Sequence, residues 1–397
     1  MSEPWLHIIG LGEDGLAGLP GASRAALDRA EIIIGGPRHL DLVQAGARGQ
    51  PWPVPFSTAP VLAAKGRRVV VLASGDPFWH GAGGSLLSHL APPDLAPGDW
   101  ISHPAASSFQ LAANRLGWRM EDTLCLGLHA APLARLRPLL HPGSRVLVTL
   151  RDGAAAAELA LWLSTHGHAA AELHVLERLG GPAERIRATT AAGFDLDAVQ
   201  APVLAAITAR DPGLPRVAGL PDDLFASDGQ ITKRPIRALT LSSLAPRPGE
   251  HLWDLGAGSG SISVEWCLAG GTASAVERRA DRLPNIRANA DSFGLSHRLT
   301  AVESASQAAL PHLPRPDAVF IGGGADAGLL AALWDAVPEG TRLVVNAVTL
   351  ETEALLYDHH VRLGGALMRI DIAQAGPLGG MRGWSAARPV VQWSVMR

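Results

Sequence analysis

The sequence predicts an α/β protein of two units, with helices laid on parallel or mixed sheets. Three observations carry that reading. Strand-length apolar runs alternate with helix-length runs along the chain. A Pro/Gly/Asp-rich stretch, 211–229, lacks periodicity and reads as a linker between 1–210 and 230–397. In the second half a glycine-rich turn joins a strand to a helix, as in a doubly wound sheet. At 397 residues the chain can bury two full cores.

In the first half, strands are expected at 6–9, 31–34, 69–72, 145–150, 173–176 and 203–207, with helices at 109–116 and 154–163. The second half runs helix (234–244), strand, glycine turn, helix, strand, helix (282–293), strand (299–302). A strand (318–321), a helix (327–337) and a strand (342–347) complete the βαβ rhythm.

Composition narrows the partners. Basic and acidic residues number 34 and 37, without a block of one sign, so nucleic acid and charged membrane surfaces lack electrostatic support. No apolar run is long enough to span a bilayer, and no basic leader precedes an apolar signal core. Cys125 and Cys267 stand far apart and outside any CxxC, which argues against a disulfide framework or a zinc site and fits a reducing cytoplasm. The sequence cluster His166, His168 and His174 reads as structural rather than as a metal site. The 11 Trp residues read as packing.

The glycine turn is Asp254-Leu255-Gly256-Ala257-Gly258-Ser259-Gly260, between the apolar run 251–253 and the helix-like run 262–268. Glycine lets backbone approach a ligand closely. The next apolar segment, 273–276, ends in Glu277, where such units receive ribose hydroxyls. An acid before GxGxG favours S-adenosylmethionine over a dinucleotide, because Asp254 can face its methionine ammonium and no pyrophosphate needs the helix N-terminus.

With these motifs, 228–397 resembles the CbiT family of precorrin methyltransferases. The matching runs are Ile231-Thr232-Lys233-Arg234-Pro235-Ile236-Arg237, Asp254 to Glu265, Phe320-Ile321-Gly322-Gly323-Gly324 and Asn346-Ala347-Val348-Thr349-Leu350-Glu351-Thr352. The resemblance implies a Rossmann-like fold with S-adenosylmethionine on Thr232, Asp254, Gly256, Ala257, Gly258, Ser259, Gly260 and Glu277. Where the family often carries Gly-Asp-Ala, this chain has Ser304-Ala305-Ser306, so adenine contact falls to backbone groups or Ser306. Gly322 and its glycine neighbours replace the Asn/Asp-Pro-Pro-aromatic motif of amino methylation and leave room for a large flat acceptor.

Residues 4–210 resemble the tetrapyrrole methylase superfamily, with its two-lobed fold. Ile9-Gly10-Leu11-Gly12 and Leu72-Ala73-Ser74-Gly75-Asp76-Pro77-Phe78-Trp79 carry that likeness. Gly35-Gly36-Pro37-Arg38-His39-Leu40 and His103-Pro104-Ala105-Ala106-Ser107-Ser108-Phe109 are similar to its CbiE branch. The resemblance implies a second S-adenosylmethionine on Ser74, Gly75, Asp76, Trp79, Ser107 and Ser108, above Gly10 and Gly12. Glu13 stands where some relatives have Pro, and Asp76 can also be read as a turn cap.

A CbiE-like half fused to a CbiT-like half is the arrangement of the CobL family. It implies a homo-oligomeric enzyme of cobalamin biosynthesis that methylates precorrin-6B at C15 with loss of the C12 acetate carboxylate, then at C5, giving precorrin-8. Methyl transfer to a nucleophilic ring carbon needs alignment and desolvation rather than a nucleophilic side chain or a metal. The macrocycle's carboxylates call for cations, and Lys233, Arg234, Arg237 and Arg382 are the candidates. Glu265 reads as a helix-packing acid. Two other readings stay open: a methyltransferase acting on another small acceptor, and a non-catalytic tetrapyrrole carrier.

Overall fold

The computed structural model describes residues 3–90 and 94–397. The chain folds as two compact units, Met1–Leu133 with Leu139–Pro212, and Ala134–Pro138 with Gly213–Arg397.

The first unit holds two five-stranded sheets. One contains β1 (Leu6–Leu11), β2 (Ile32–Gly35), β3 (Gly49–Pro51), β4 (Val69–Ser74) and β5 (Trp100–His103), all parallel, in the order β3-β2-β4-β1-β5. Its two faces follow the period of two expected of strands. Ile9, Leu11, Val70 and Leu72 pack in one apolar cluster, and Leu6, Ile8, Val69 and Val71 in another. Leu11 pairs with Ser74, so β1 and β4 end side by side. The other sheet contains β6 (Thr123–Gly127), β7 (Arg145–Thr149), β8 (Glu172–Glu177), β9 (Arg185–Thr190) and β10 (Val203–Thr208), in the order β6-β7-β10-β8-β9. Only β6 and β7 run parallel there.

The second unit is a seven-stranded doubly wound sheet. Its strands are β11 (His251–Leu255), β12 (Thr272–Glu277), β13 (Leu299–Glu303), β14 (Ala318–Ile321), β15 (Arg342–Ala347), β16 (Ala366–Ile370) and β19 (Val390–Met396). The order is β13-β12-β11-β14-β15-β19-β16, with β19 antiparallel to both its neighbours. Strand order reverses between β11 and β14, which is where open α/β sheets bind ligands. β17 (Ala373–Leu378) and β18 (Met381–Ala386) form a separate two-stranded hairpin. The stretch expected as a linker packs from Gly213 onward within this unit, with Leu220 and Phe225 in the core beside Trp266 and Phe293. Among the described residues no helix is long and apolar enough to cross a membrane.

Candidate cofactor and substrate sites

In the second unit, β11 delivers Asp254 to the sheet edge and the chain turns through Gly256, Gly258 and Gly260 at φ of +72°, +59° and +72°. Only glycine adopts such angles freely. A Cβ on Gly256 would also lie 2.8 Å from the Gly323 carbonyl oxygen. The turn is pinned from β12: the Gly256 and Ala257 amides donate to Val276 O at 2.9 and 3.0 Å. The Gly258 amide donates to Glu277 Oε2 at 2.9 Å, and the Arg279 amide to Glu277 Oε1 at 3.0 Å.

These residues face a cavity of about 1650 Å³. Thr232, Lys233 and Arg234, Gly256 to Ser259, Glu277, Ala305 and Ser306, and Gly322 all line it. The space exceeds that of an ordinary ligand pocket, about 300–1,000 Å³, and so has room for more than one small ligand. Gly260 packs on Ile286, and Ser304 pairs off the end of β12, both away from the wall.

Asp254 lies beneath the loop, 1 % exposed, rather than on the wall. Its Oδ2 accepts from the Ser263 hydroxyl at 2.7 Å, while Oδ1 is buried without a partner, as is Ser259 Oγ. Two orphaned polar atoms at a glycine cradle fit a ligand with donor groups, and the lone carboxylate oxygen suits a cationic one.

Burial pushes the Asp254 carboxyl up to about 6; the Ser263 hydrogen bond opposes the rise and the Glu277 charge adds to it. A folded-state value above the unfolded value, about 3.9, favours folding below that pH, and the benefit is lost as pH rises through the folded value. Asp254→Asn is therefore expected to flatten the loss of thermal stability that the ligand-free wild type shows from about pH 4 to 7, and to weaken S-adenosylmethionine binding. Parallel melts and titration calorimetry check both; identical melting profiles would remove Asp254 from this role.

Among the cations, Lys233, Arg234, Arg278 and Arg388 line the cavity without an acidic partner among the described residues. The lining carboxylates are engaged: Asp222 by Arg237, Glu277 by the loop amides, and Asp326 by the Leu329 amide it caps at 2.8 Å. Sequence reasoning missed Arg278 and Arg388. Arg278 follows Glu277 directly and so had a signal; Arg388 is brought in only by the return from the β17–β18 hairpin.

Two expected substrate cations lie elsewhere. Arg237 is fully buried, donating to Glu265 Oε1 at 2.6 Å, to Asp222 Oδ1 at 2.9 Å, and to the Thr232 and Leu220 carbonyls. No donor faces the cavity, because burying a guanidinium requires each to be satisfied. Arg382 sits exposed on β18 and does not line the cavity. Glu265 also accepts from the Gly219 and Leu220 amides at 2.6 and 3.0 Å, a packing role.

In the first unit, a cavity of about 300 Å³ gathers Gly12, Ser74, Gly75, Trp79, Ser107 and Ser108. Gly10 lies below it, where a Cβ would meet the Gly75 carbonyl oxygen at 1.8 Å. Gly75 has φ +56° and would place a Cβ 2.6 Å from Ser107 Cα. Ser107 caps helix Ser108–Leu116 in a capping box with Gln110, which opens that helix's N-terminus beside the glycine turn. These cradles fit a ligand held by backbone. Asp76 lies off the wall and caps its own turn, accepting from the Phe78 amide at 2.8 Å.

Also on this wall are residues outside the expected set: Glu13, Arg38, His80, His129 and Thr149. Glu13 pairs with Arg38 and, at 3.8 Å, with Arg178. Arg38 also reaches Ser74 Oγ at 3.1 Å. Among the described residues, no group of three or more His, Cys, Asp or Glu is placed to hold a metal.

Comparison with known proteins agrees with this architecture. Residues 223–397 match a family described as a precorrin methyltransferase domain, and residues 5–195 match the tetrapyrrole (corrin/porphyrin) methylases. A precorrin-6Y C(5,15)-methyltransferase [decarboxylating] from Sinorhizobium sp. is 48 % identical over 99 % of this chain and 96 % of its own length. Its counterpart from Mycobacterium tuberculosis is 40 % identical over 98 % of this chain and 99 % of its own. A shorter protein from Saccharolobus solfataricus, named a probable cobalt-precorrin-6B C(15)-methyltransferase (decarboxylating), is 35 % identical over 34 % of this chain and 72 % of its own. With near-complete coverage of two such relatives, and a sheet and glycine turns that suit methyl transfer, the chain belongs to the decarboxylating precorrin-6Y C(5,15)-methyltransferase family.

Proposed function

We propose that the two units divide the family's reaction. The second unit holds S-adenosylmethionine on the Gly256–Gly260 turn, methylates C15 of precorrin-6B and removes the C12 acetate carboxylate. The first holds another S-adenosylmethionine between the Gly75 turn and Ser107, and methylates C5 to give precorrin-8.

Membership makes the chain a methyltransferase of cobalamin biosynthesis that uses S-adenosylmethionine on a precorrin. The observation that carries the division is the second unit's cavity, large, lined by Lys233, Arg234, Arg278 and Arg388 with no acidic partner among the described residues, and backed by glycines 322–324. Cations hold carboxylates of a polycarboxylate macrocycle in place, and decarboxylation needs the departing carboxylate held out of the ring plane so that its electron pair enters the conjugated system. S-adenosylmethionine supplies an electrophilic methyl on its sulfonium. The chain's residues orient both partners and exclude water. The Saccharolobus relative, named for the C(15) and decarboxylating chemistry alone, is a protein of one-unit scale. A homo-oligomer in the cytoplasm belongs to the same reading, which the free thiols of Cys125 and Cys267 suit.

The test is product mass. Wild type with precorrin-6B and S-adenosylmethionine is expected to add two methyls and lose one CO₂. Gly75→Val, whose side chain would run into Ser107 and Ala106, is expected to add one methyl and still lose CO₂. Loss of CO₂ release in a folded Gly75→Val chain would place the decarboxylation in the first unit and overturn the division.

A further inference from the structure

We propose that His80, with His129 beside it, accepts the proton released by methyl transfer in the first unit. This rests on the reading that the first unit carries out the transfer without decarboxylation.

Proton balance separates the two transfers. Methylation of a ring-bridging C–H carbon forms a C–C bond with an electron pair from the macrocycle and breaks the donor's S–CH₃ bond, its pair going to sulfur. The C–H pair then returns to the conjugated system and a proton leaves. In the decarboxylating transfer, loss of CO₂ from a CH₂–COO⁻ group leaves a carbon that takes up one proton to become CH₃. Release and uptake cancel there. The other transfer releases one proton that nothing in the reaction consumes.

The two cavities differ in the matching way. Among the described residues lining the second unit's cavity there is no His, Tyr or Cys. The first unit's cavity carries Glu13, Arg38, His80 and His129. Glu13 is already held by Arg38 and Arg178, and a guanidinium keeps its protons. The imidazoles remain.

His80 immediately follows Trp79, which lines the same wall. Its φ is +56°, a left-handed conformation that a side chain adopts only where its surroundings impose it. Its ring stands edge-on to Phe109, with centroids 5.9 Å apart. Gly127 makes room for both imidazoles: a Cβ there would lie 3.0 Å from His80 Nδ1 and 3.5 Å from His129 Cε1. His129 Nδ1 is 3.3 Å from Thr149 Oγ1. The charged or titratable groups sharing the cavity with His80 are His129, Glu13 and Arg38. Burial, then the neighbouring His129, hold His80 below its ordinary value, which keeps it neutral and able to accept at neutral pH.

His80→Gly tests this, because glycine takes φ +56° without strain and leaves a space for free imidazole. With precorrin-6B and S-adenosylmethionine, the full-length variant is expected to accumulate product with one methyl gained and CO₂ lost. Its second methyl transfer should slow by about a hundredfold or more, lose the fall in rate that wild type shows on acidification, and recover on addition of imidazole. Retention of the wild-type rate and pH profile by His80→Gly overturns the proposal, provided Gly75→Val removes the second methyl. If Gly75→Val also keeps both methyls, the division of labour between the units fails instead.

Discussion

In a Gly256→Val chain, CO₂ release and the C15 methyl transfer are expected to disappear together. Gly256 sits at φ +72°, where a residue with a Cβ costs roughly 1–2 kcal/mol. That strain is the smaller effect. The added Cβ would lie 2.8 Å from the Gly323 carbonyl oxygen, so the turn or the glycine run after β14 must move. β11 and β14 are paired through Leu255 and Ile321, and neither strand can shift without opening the sheet. The displacement therefore falls on the two loops that form the cavity wall. Interior packing elsewhere is untouched, so the variant should fold, with a loss of at least about 2 kcal/mol and a thermal melt lowered by roughly 2–4 °C for each kcal/mol. With one S-adenosylmethionine per unit, as proposed, the stoichiometry by calorimetry should fall by one per chain, and the precorrin should keep its acetate carboxylate. Survival of CO₂ release without methylation would place the two events at different sites.

The parts of this protein that were legible in its sequence share a physical reason. Strands buried on both faces read as continuous apolar runs, and 318–321 and 342–347 were placed to the residue. The glycine turns were legible because left-handed angles leave few alternatives to glycine. Short or exposed strands were not. β3 has three residues, and β9 alternates between exposed and half-buried positions, so neither carries an apolar signature. No element is expected after β15, where β16, β17 and β18 are mostly exposed, whereas β19 is buried over Val390 to Trp393 and its apolar run is a legible signal. In the sites, residue type was visible and burial was not. Lys233 and Arg237 share one short basic run, yet Lys233 faces the cavity while Arg237 points into the core. Helical spacing decides this: Arg237 lies three residues before the buried Thr240 and four before the buried Leu241, on the same face. Nothing in the sequence links His80 to His129; only the fold brings them to one wall.

Arg237→Met is expected to destabilise the second unit by about 3–5 kcal/mol, the range for removing one partner of a buried ion pair. The substitution would leave the Glu265 carboxylate buried with only the Gly219 and Leu220 amides, and would strip the Leu220 and Thr232 carbonyls of a donor. It would also remove the guanidinium from above the Phe225 ring, where it lies 4.7 Å from the centroid. Arg237→Lys should recover little, because one ammonium cannot reproduce a planar fork that serves two carboxylates and two carbonyls. The double variant Arg237→Met/Glu265→Gln should lose less than the sum of its single changes, since it removes the stranded charge. Denaturant unfolding of the four proteins measures this coupling. Unfolding together with precorrin kinetics tests this structural role against the substrate role that the sequence alone suggests. A substrate cation would raise KM for the precorrin on substitution by Met and leave the unfolding midpoint in place. A structural cation should lower the midpoint and disturb the cavity only through Thr232, whose carbonyl it holds. That link explains why a buried arginine belongs to a run of residues that otherwise faces the ligand: it ties the Thr232 wall to helix Ser261–Leu268, the helix that begins where the glycine turn ends.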